Sequence, residues 1–254
     1  MMLRPAFLTA PLAHRALHDR TRGRPENGLS AIRAAVDAGY GVELDLQLSS
    51  DGVAMVFHDY ELGRLTDETG LVKRRNAAEL GQINLTGSED RIPRLSEVLA
   101  LVAGRVPVLL ELKEQSRIMG PVDGALERAV AADLTGYDGP VAVMSFNPAS
   151  VSAFAAAAPD VVRGLTSGSY GAPEWAPLGV DRLTRLRALE DFDPTDAAFI
   201  SHFHEDLSDP AVLALKARGV PVLCWTIRSP EAEAAARRIA DNVTFEGYLA
   251  HHTR

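Results

Sequence analysis

The 254-residue chain holds a single cysteine, Cys224, so no disulfide can form within it and nothing in it requires an oxidising compartment. Cys224 lies in the apolar run Val220-Pro221-Val222-Leu223-Cys224-Trp225 and reads as a small buried hydrophobe rather than a reactive thiol. Long apolar runs are missing too. No stretch reaches the ~18 residues that a membrane span needs. The first nine residues lack the longer apolar core of a secretory signal, so the cytoplasm is the expected location. Basic charge is in deficit, with 26 Lys and Arg against 34 Asp and Glu and a net charge of −8. That argues against a general nucleic-acid binder, which needs a basic face. A small anionic substrate stays open if cations line a local pocket. Linkers and low-complexity segments are also lacking, so one domain over residues 1–254 is expected, while the oligomeric state is not legible.

What the chain does have is short β-like runs alternating with alanine-rich helical stretches. Strands are expected over Ala6–Leu12, Val42–Leu48, Val53–Phe57, Val106–Leu112, Val141–Phe146, Val161–Leu165, Ala197–His202, Val220–Ile227 and, more weakly, Val243–Phe245. Helices are expected over Gly28–Ala38, Arg94–Val102, Val122–Ala132, Pro148–Ala158, Asp209–Arg218 and Pro230–Asp241. Strand–helix alternation along a whole chain argues for an α/β fold with a parallel sheet and helices outside. The length suits a TIM (β/α)8 barrel. Nine strands is one too many for such a barrel. The Leu48–Val53 link is too short for a parallel crossover, so those two runs should form an antiparallel hairpin turning at Asp51-Gly52. Pairing Leu48 near Val53 would bring Glu43 opposite His58. Residues 60–91 are polar and punctuated by glycines, and read as an insertion on the barrel rim.

The chemistry-bearing residues sit at the ends of these runs. In Val42-Glu43-Leu44-Asp45-Leu46-Gln47-Leu48 the two acids share one strand face and the leucines take the other. Adjacent carboxylates are costly to bury without a cation, and a hard divalent ion with oxygen ligands is the usual solution. Glu111 and Lys113 repeat the same-face spacing on a later strand, and His14-Arg15 and His58-Asp59 end two others. In a barrel the carboxyl ends of the strands converge. Three carboxylates (Glu43, Asp45, Glu111), two histidines (His14, His58) and two cations (Arg15, Lys113) would then meet. They suit metal-assisted chemistry on a phosphate, with the histidines dividing the proton work. Around them, Glu26 and Asn27 read either as turn and cap residues or as pocket contacts near the first histidine. Phe146 and Trp225 read either as an apolar pocket wall or as core. His202 is expected to line the pocket from a late strand, and His18-Asp19 to be an exposed loop pair.

Taken together, His14-Arg15, Pro25-Glu26-Asn27, Glu43-Leu44-Asp45, Asp51-Gly52, His58-Asp59, Leu62-Gly63-Arg64-Leu65-Thr66, Gly70, Ile92-Pro93-Arg94-Leu95-Ser96-Glu97-Val98-Leu99 and Glu111-Leu112-Lys113 resemble the glycerophosphodiester phosphodiesterase family. The resemblance implies a TIM barrel of the phosphatidylinositol-phospholipase-C type with a small subdomain inserted after the second histidine. It implies hydrolysis of glycerophosphodiesters to glycerol 3-phosphate and an alcohol. By the same resemblance His14 and His58 are the acid/base pair, Glu43, Asp45 and Glu111 hold Mg²⁺ or Ca²⁺, and Arg15 and Lys113 contact the phosphate. The implied route is attack of the substrate's own 2-hydroxyl on phosphorus, followed by opening of the cyclic phosphate by water. A lysophospholipase D-type lipid phosphodiesterase and a non-catalytic glycerophosphate-binding barrel are the alternatives. Two departures stand out: Ala16 where the family usually has glycine, and Phe245-Glu246-Gly247-Tyr248 where it often has Thr-Asp-x-Pro.

Overall fold

The computed structural model describes residues 2–116, 118–171, 175 and 177–252. Its chain opens with a one-turn helix α1 (Ala6–Thr9) and a two-residue strand β1 (Leu12–Ala13). The strand expected over Ala6–Leu12 is therefore mostly helix. Phe7 is fully buried with Leu12, Leu109, Met144, Phe199 and Leu223, so α1 supplies an apolar plug to the barrel interior. Then come α2 (Leu29–Asp37), β2 (Gly41–Leu48), β3 (Ala54–Val56), α3 (Ala77–Leu80), α4 (Leu95–Val102), β4 (Val108–Leu112), α5 (Ala125–Leu134), β5 (Val141–Ser145) and α6 (Pro148–Ala157). After them follow β6 (Val162–Ser167), α7 (Val180–Arg187), β7 (Phe199–Phe203), α8 (Pro210–Ala217), β8 (Val222–Ile227), α9 (Pro230–Ala236) and β9 (Asn242–Phe245). Among the described residues no helix is long and apolar enough to cross a membrane.

Eight strands run parallel in the order β1-β9-β8-β7-β6-β5-β4-β2, and β1 pairs with β2 to close the barrel. Residues aligned across the strands share a face, so the register sorts the side chains. Leu12, Gly41, Glu43, Asp45, Leu109, Glu111, Ala142, Met144, Gly164, Thr166, Phe199, Ser201 and Leu223 fall on one such face, which looks into the barrel. Their neighbours Val42, Leu44, Leu46, Leu110, Leu165, Ile200 and Val222 belong to a separate core packed under the outer helices. On the inward face Gly164 has no room for a side chain: a Cβ there would lie 2.6 Å from the Phe199 carbonyl oxygen.

The ninth strand, β3, is antiparallel to β2, with Leu46, Gln47 and Leu48 opposite Val56, Met55 and Ala54. The hairpin forms as expected, one residue out of the anticipated register. Asp45 meets Phe57, where the anticipated register would set Val56, and the Phe57 N–H donates to the Asp45 carbonyl at 2.9 Å. Because β1 leaves β2 after Val42, the upper half of that edge is open for β3. Residues 59–91, which follow β3, hold α3 and short 3-10 turns around a core of their own, with Phe57, Leu62, Leu65, Val72, Leu80, Leu85 and Ile92 buried together. This is the small inserted subdomain. Its last turn returns to the barrel, where Asp90 accepts both the N–H (2.8 Å) and the hydroxyl (2.5 Å) of Ser30 at the start of α2.

Candidate active site

The side chains gathered at the carboxyl ends of the strands line one cavity of about 820 Å³. His14, Arg15, Glu43, Asp45, His58, Glu111 and Lys113 all border it. The three acids are buried, at 2%, 1% and 8% exposure, and their candidate ligand oxygens all lie within 4.8 Å of one another. Lys113 reaches back over them, its Nζ 3.1 Å from Asp45 Oδ1 and 2.8 Å from Glu111 Oε1. Arg15 Nε lies 3.5 Å from Asp45 Oδ2 and is itself buried without a hydrogen bond among the described residues.

Burial opposes ionisation of both central acids, but their partners differ. Asp45 lies beside Lys113, His58 and Arg15 and accepts a 2.9 Å hydrogen bond from Asn27 Nδ2, so its carboxyl stays well below the usual range. Glu43 accepts only the Arg15 backbone N–H, at 3.1 Å, and has no ion pair among the described residues. Burial first, then the charges of Asp45 and Glu111, push its carboxyl well above the usual range. A buried acid left without a cation beside two others is what a hard divalent ion would hold ionised. The acidic triad therefore fits a metal ion by donor type, burial and charge.

Each histidine is held at Nδ1 by a carboxylate. His14 Nδ1 lies 2.5 Å from Glu246 Oε2, and His58 Nδ1 lies 2.6 Å from Asp59 Oδ1. Such a bond favours the Nδ1–H tautomer and leaves Nε2 as the ring's other nitrogen. Burial lowers the His14 pKa, and the hydrogen bond with Glu246 partly offsets that. Burial opposes the Glu246 charge in turn, but hydrogen bonds with His14 and His18 hold its carboxyl well below the usual range. Arg228 Nε lies 2.7 Å from the other oxygen of Glu246.

The turn after β1 aims these groups. Arg15 and Ala16 are both left-handed, at φ 52° and 67°. In this conformation the Arg15 N–H donates to the Glu43 carboxylate and the Ala16 N–H to the Glu43 carbonyl (3.2 Å). Ala16 thus adopts the backbone region where glycine is at ease, with its methyl buried.

The surrounding residues divide. Phe146 and Trp225 border the cavity, their rings 5.5 Å apart, together with Trp175, Met119 and Leu178. Glu26 and Asn27 do not cap α2, whose cap position is Gly28. They hold Arg15 Nη1 (2.8 Å) and Asp45 rather than His14. His202 is not in the pocket. It pairs in register with Ser167 and Cys224 on the face under the helices, and the Ser167 hydroxyl lies 2.8 Å from its Nδ1. One residue of register separates it from the inward-facing Ser201. His18 is not an exposed loop residue: it is half-buried, 3.6 Å from Glu246. Burial pushes the Cys224 thiol up to about 12, consistent with an inert hydrophobe. The contacts that Glu246, Asp59 and Arg64 make to His14, His58 and Glu26 are not specified by the sequence motifs in which these residues stand.

The chain is similar to known proteins over most of its length. Residues 14–246 match the model of the glycerophosphoryl diester phosphodiesterase family. A glycerophosphodiester phosphodiesterase of Caldanaerobacter subterraneus is 29% identical over 231 residues, covering 88% of this chain and 87% of that protein. The human glycerophosphodiester phosphodiesterase 1 is 35% identical over 109 residues, covering 39% of this chain and 32% of that protein. The chain thus spans about a third of the length of the mammalian relatives it matches. Among solved structures, an Oleispira antarctica phosphodiesterase in complex with the product sn-glycerol-3-phosphate is 26% identical, with a TM-score of 0.73 over 95% of this chain and 94% of that one. With its barrel, its inserted subdomain and the match over residues 14–246, the chain belongs to the glycerophosphoryl diester phosphodiesterase family.

Proposed function

We propose that the chain is a metal-dependent phosphodiesterase that hydrolyses glycerophosphodiesters, such as glycerophosphocholine or glycerophosphoethanolamine, to glycerol 3-phosphate and an alcohol. One observation carries the reading: three buried acids within 4.8 Å of one another share a cavity with two carboxylate-held histidines and two cations. Glu43, Asp45 and Glu111 would hold the ion, Mg²⁺ or Ca²⁺. When bound, it would polarise the phosphoryl oxygen and offset charge building on it. Arg15 and Lys113 bind and orient the phosphate. One histidine takes the proton of the substrate 2-hydroxyl at Nε2 as that oxygen bonds to phosphorus. The other gives its Nε2 proton to the departing alkoxide. In the second half, water opens the cyclic phosphate with the two roles exchanged. The test is hydrolysis of glycerophosphocholine by the purified protein with and without chelator. His14→Ala and His58→Ala are each expected to lose about 10²–10⁴-fold in kcat, and full activity in both variants would refute the mechanism.

A specific observation favours a second reading, a lysophospholipase D-type activity on the same barrel. That activity needs an apolar groove beside the site. The polar insertion does not supply one, but Met119, Phe146, Trp175, Leu178 and Trp225 on other strand ends and loops do. Comparing turnover of glycerophosphocholine with that of lysophosphatidylcholine separates the two.

A further inference from the structure

The segment Leu62-Gly63-Arg64-Leu65-Thr66 belongs to the insertion and contributes no side chain to the chemistry above. Arg64 nevertheless spans two of its members. Its Nε and Nη2 lie 2.5 Å and 2.9 Å from the two oxygens of Asp59. Its Nη1 and Nη2 lie 2.9 Å and 2.7 Å from the two oxygens of Glu26. Asp59 in turn holds His58 Nδ1, and Glu26 holds Arg15 Nη1. One guanidinium thus closes a continuous run of contacts, His58–Asp59–Arg64–Glu26–Arg15, that ends 3.5 Å from Asp45.

Isolated surface ion pairs contribute little, because solvent screens them and ordering the side chains offsets the gain. Arg64 differs from that case. All four of its contacts are charge-assisted, both carboxylates are engaged through two oxygens, and neither carboxylate is freely exposed, at 14% and 22% for the side chains. A lysine has no planar fork and cannot meet two carboxylates bidentately.

We propose that Arg64 is a positioning residue by which the inserted subdomain sets the phosphate-facing Arg15 and the ring of His58 in one geometry, through Glu26 and Asp59. The proposal rests on the hydrolysis reading above and gives the insertion a task in it. Two arms of consequence follow. The Glu26 arm bears on phosphate binding and so on KM, and the Asp59 arm bears on the His58 ring and so on kcat. Glu26→Gln is expected chiefly to raise KM, Asp59→Asn chiefly to lower kcat, and Arg64→Gln to do both, by about 10–100-fold in kcat/KM. Arg64→Lys should recover only a small part. A purely structural anchor would give no such split.

The experiment measures kcat, KM and thermal midpoint for wild type, these four variants and Arg75→Gln. Arg75 lies in the same insertion, in an exposed pair with Glu68, and its variant should keep wild-type constants. Histidine ring ¹⁵N shifts are recorded alongside, without substrate. The His58 ring should be a single Nδ1–H tautomer in wild type and a mixture in Arg64→Gln. The proposal is overturned if Arg64→Gln keeps kcat and KM within about twofold of wild type with an unchanged His58 ring, or if Arg75→Gln shows the same loss. Should wild type fail to turn over glycerophosphocholine, the hydrolysis reading falls by itself and the ring shifts alone decide the positioning claim.

Discussion

Glu246 shows how the site works at the scale of single residues. Its anion raises the affinity of His14 for a proton against the larger, opposite effect of burial. Replacing it by glutamine removes the charge and leaves the size. The His14 pKa should then fall further, so the limb of the kcat/KM pH profile that belongs to His14 should move to lower pH. A limb that stays in place in Glu246→Gln would show that the pair does not tune the histidine. Ala16 offers a second case. A left-handed alanine costs roughly 1–2 kcal/mol, whereas its buried methyl returns about 0.8 kcal/mol and a glycine there would cost chain entropy. These effects nearly cancel, so Ala16→Gly should change stability by less than about 1 kcal/mol in denaturant unfolding. The residues that meet at the cavity were legible because alternation on a strand is a local rule. Glu43 and Asp45 share a face whatever the rest of the chain does. The groups that hold them were not legible: Glu246 meets His14 across 232 positions of sequence, and Arg64 meets Glu26 across 38. His202 failed through parity, since a one-residue error in strand phase exchanges pocket for core.

At the scale of elements the insertion is the part most open to test. Its buried cluster is small, and Leu80 within it is fully buried. Leu80→Ala should cost about 2–5 kcal/mol. Because Arg64 and Asp59 belong to the same segment, kcat should drop at temperatures where the barrel's far-UV signal is still native. Simultaneous loss of both would contradict a separately failing insertion. The cap that Asp90 gives α2 should be worth about 1 kcal/mol, read as the stability lost in Asp90→Ala. Strands β2, β4 and β5 were legible from apolar runs bounded by turn residues. The N-terminal run misled because four apolar-rich residues fit a helix turn as well as a strand, and Phe7 is buried in either case. Helix α7 was missed because four of its eight residues are charged and only Leu186 among them is buried.

For the molecule as a whole, the barrel makes separate strand ends into one site, and the acidic triad is where that convergence costs most. Burial and its acidic neighbours favour the protonated form of Glu43 when no ion is present. Ion binding requires the carboxylate, so it should release a proton wherever Glu43 is protonated without the ion, and affinity should weaken as pH falls. Titration calorimetry in buffers of different ionisation enthalpy checks this, and a buffer-independent heat would contradict it. The most direct single measurement is an anomalous difference map from a crystal grown with Ca²⁺. One peak is expected about 2.3–2.6 Å from carboxylate oxygens of Glu43, Asp45 and Glu111 together. A map with no peak there, and the Lys113 ammonium still seated between Asp45 and Glu111, would contradict the account.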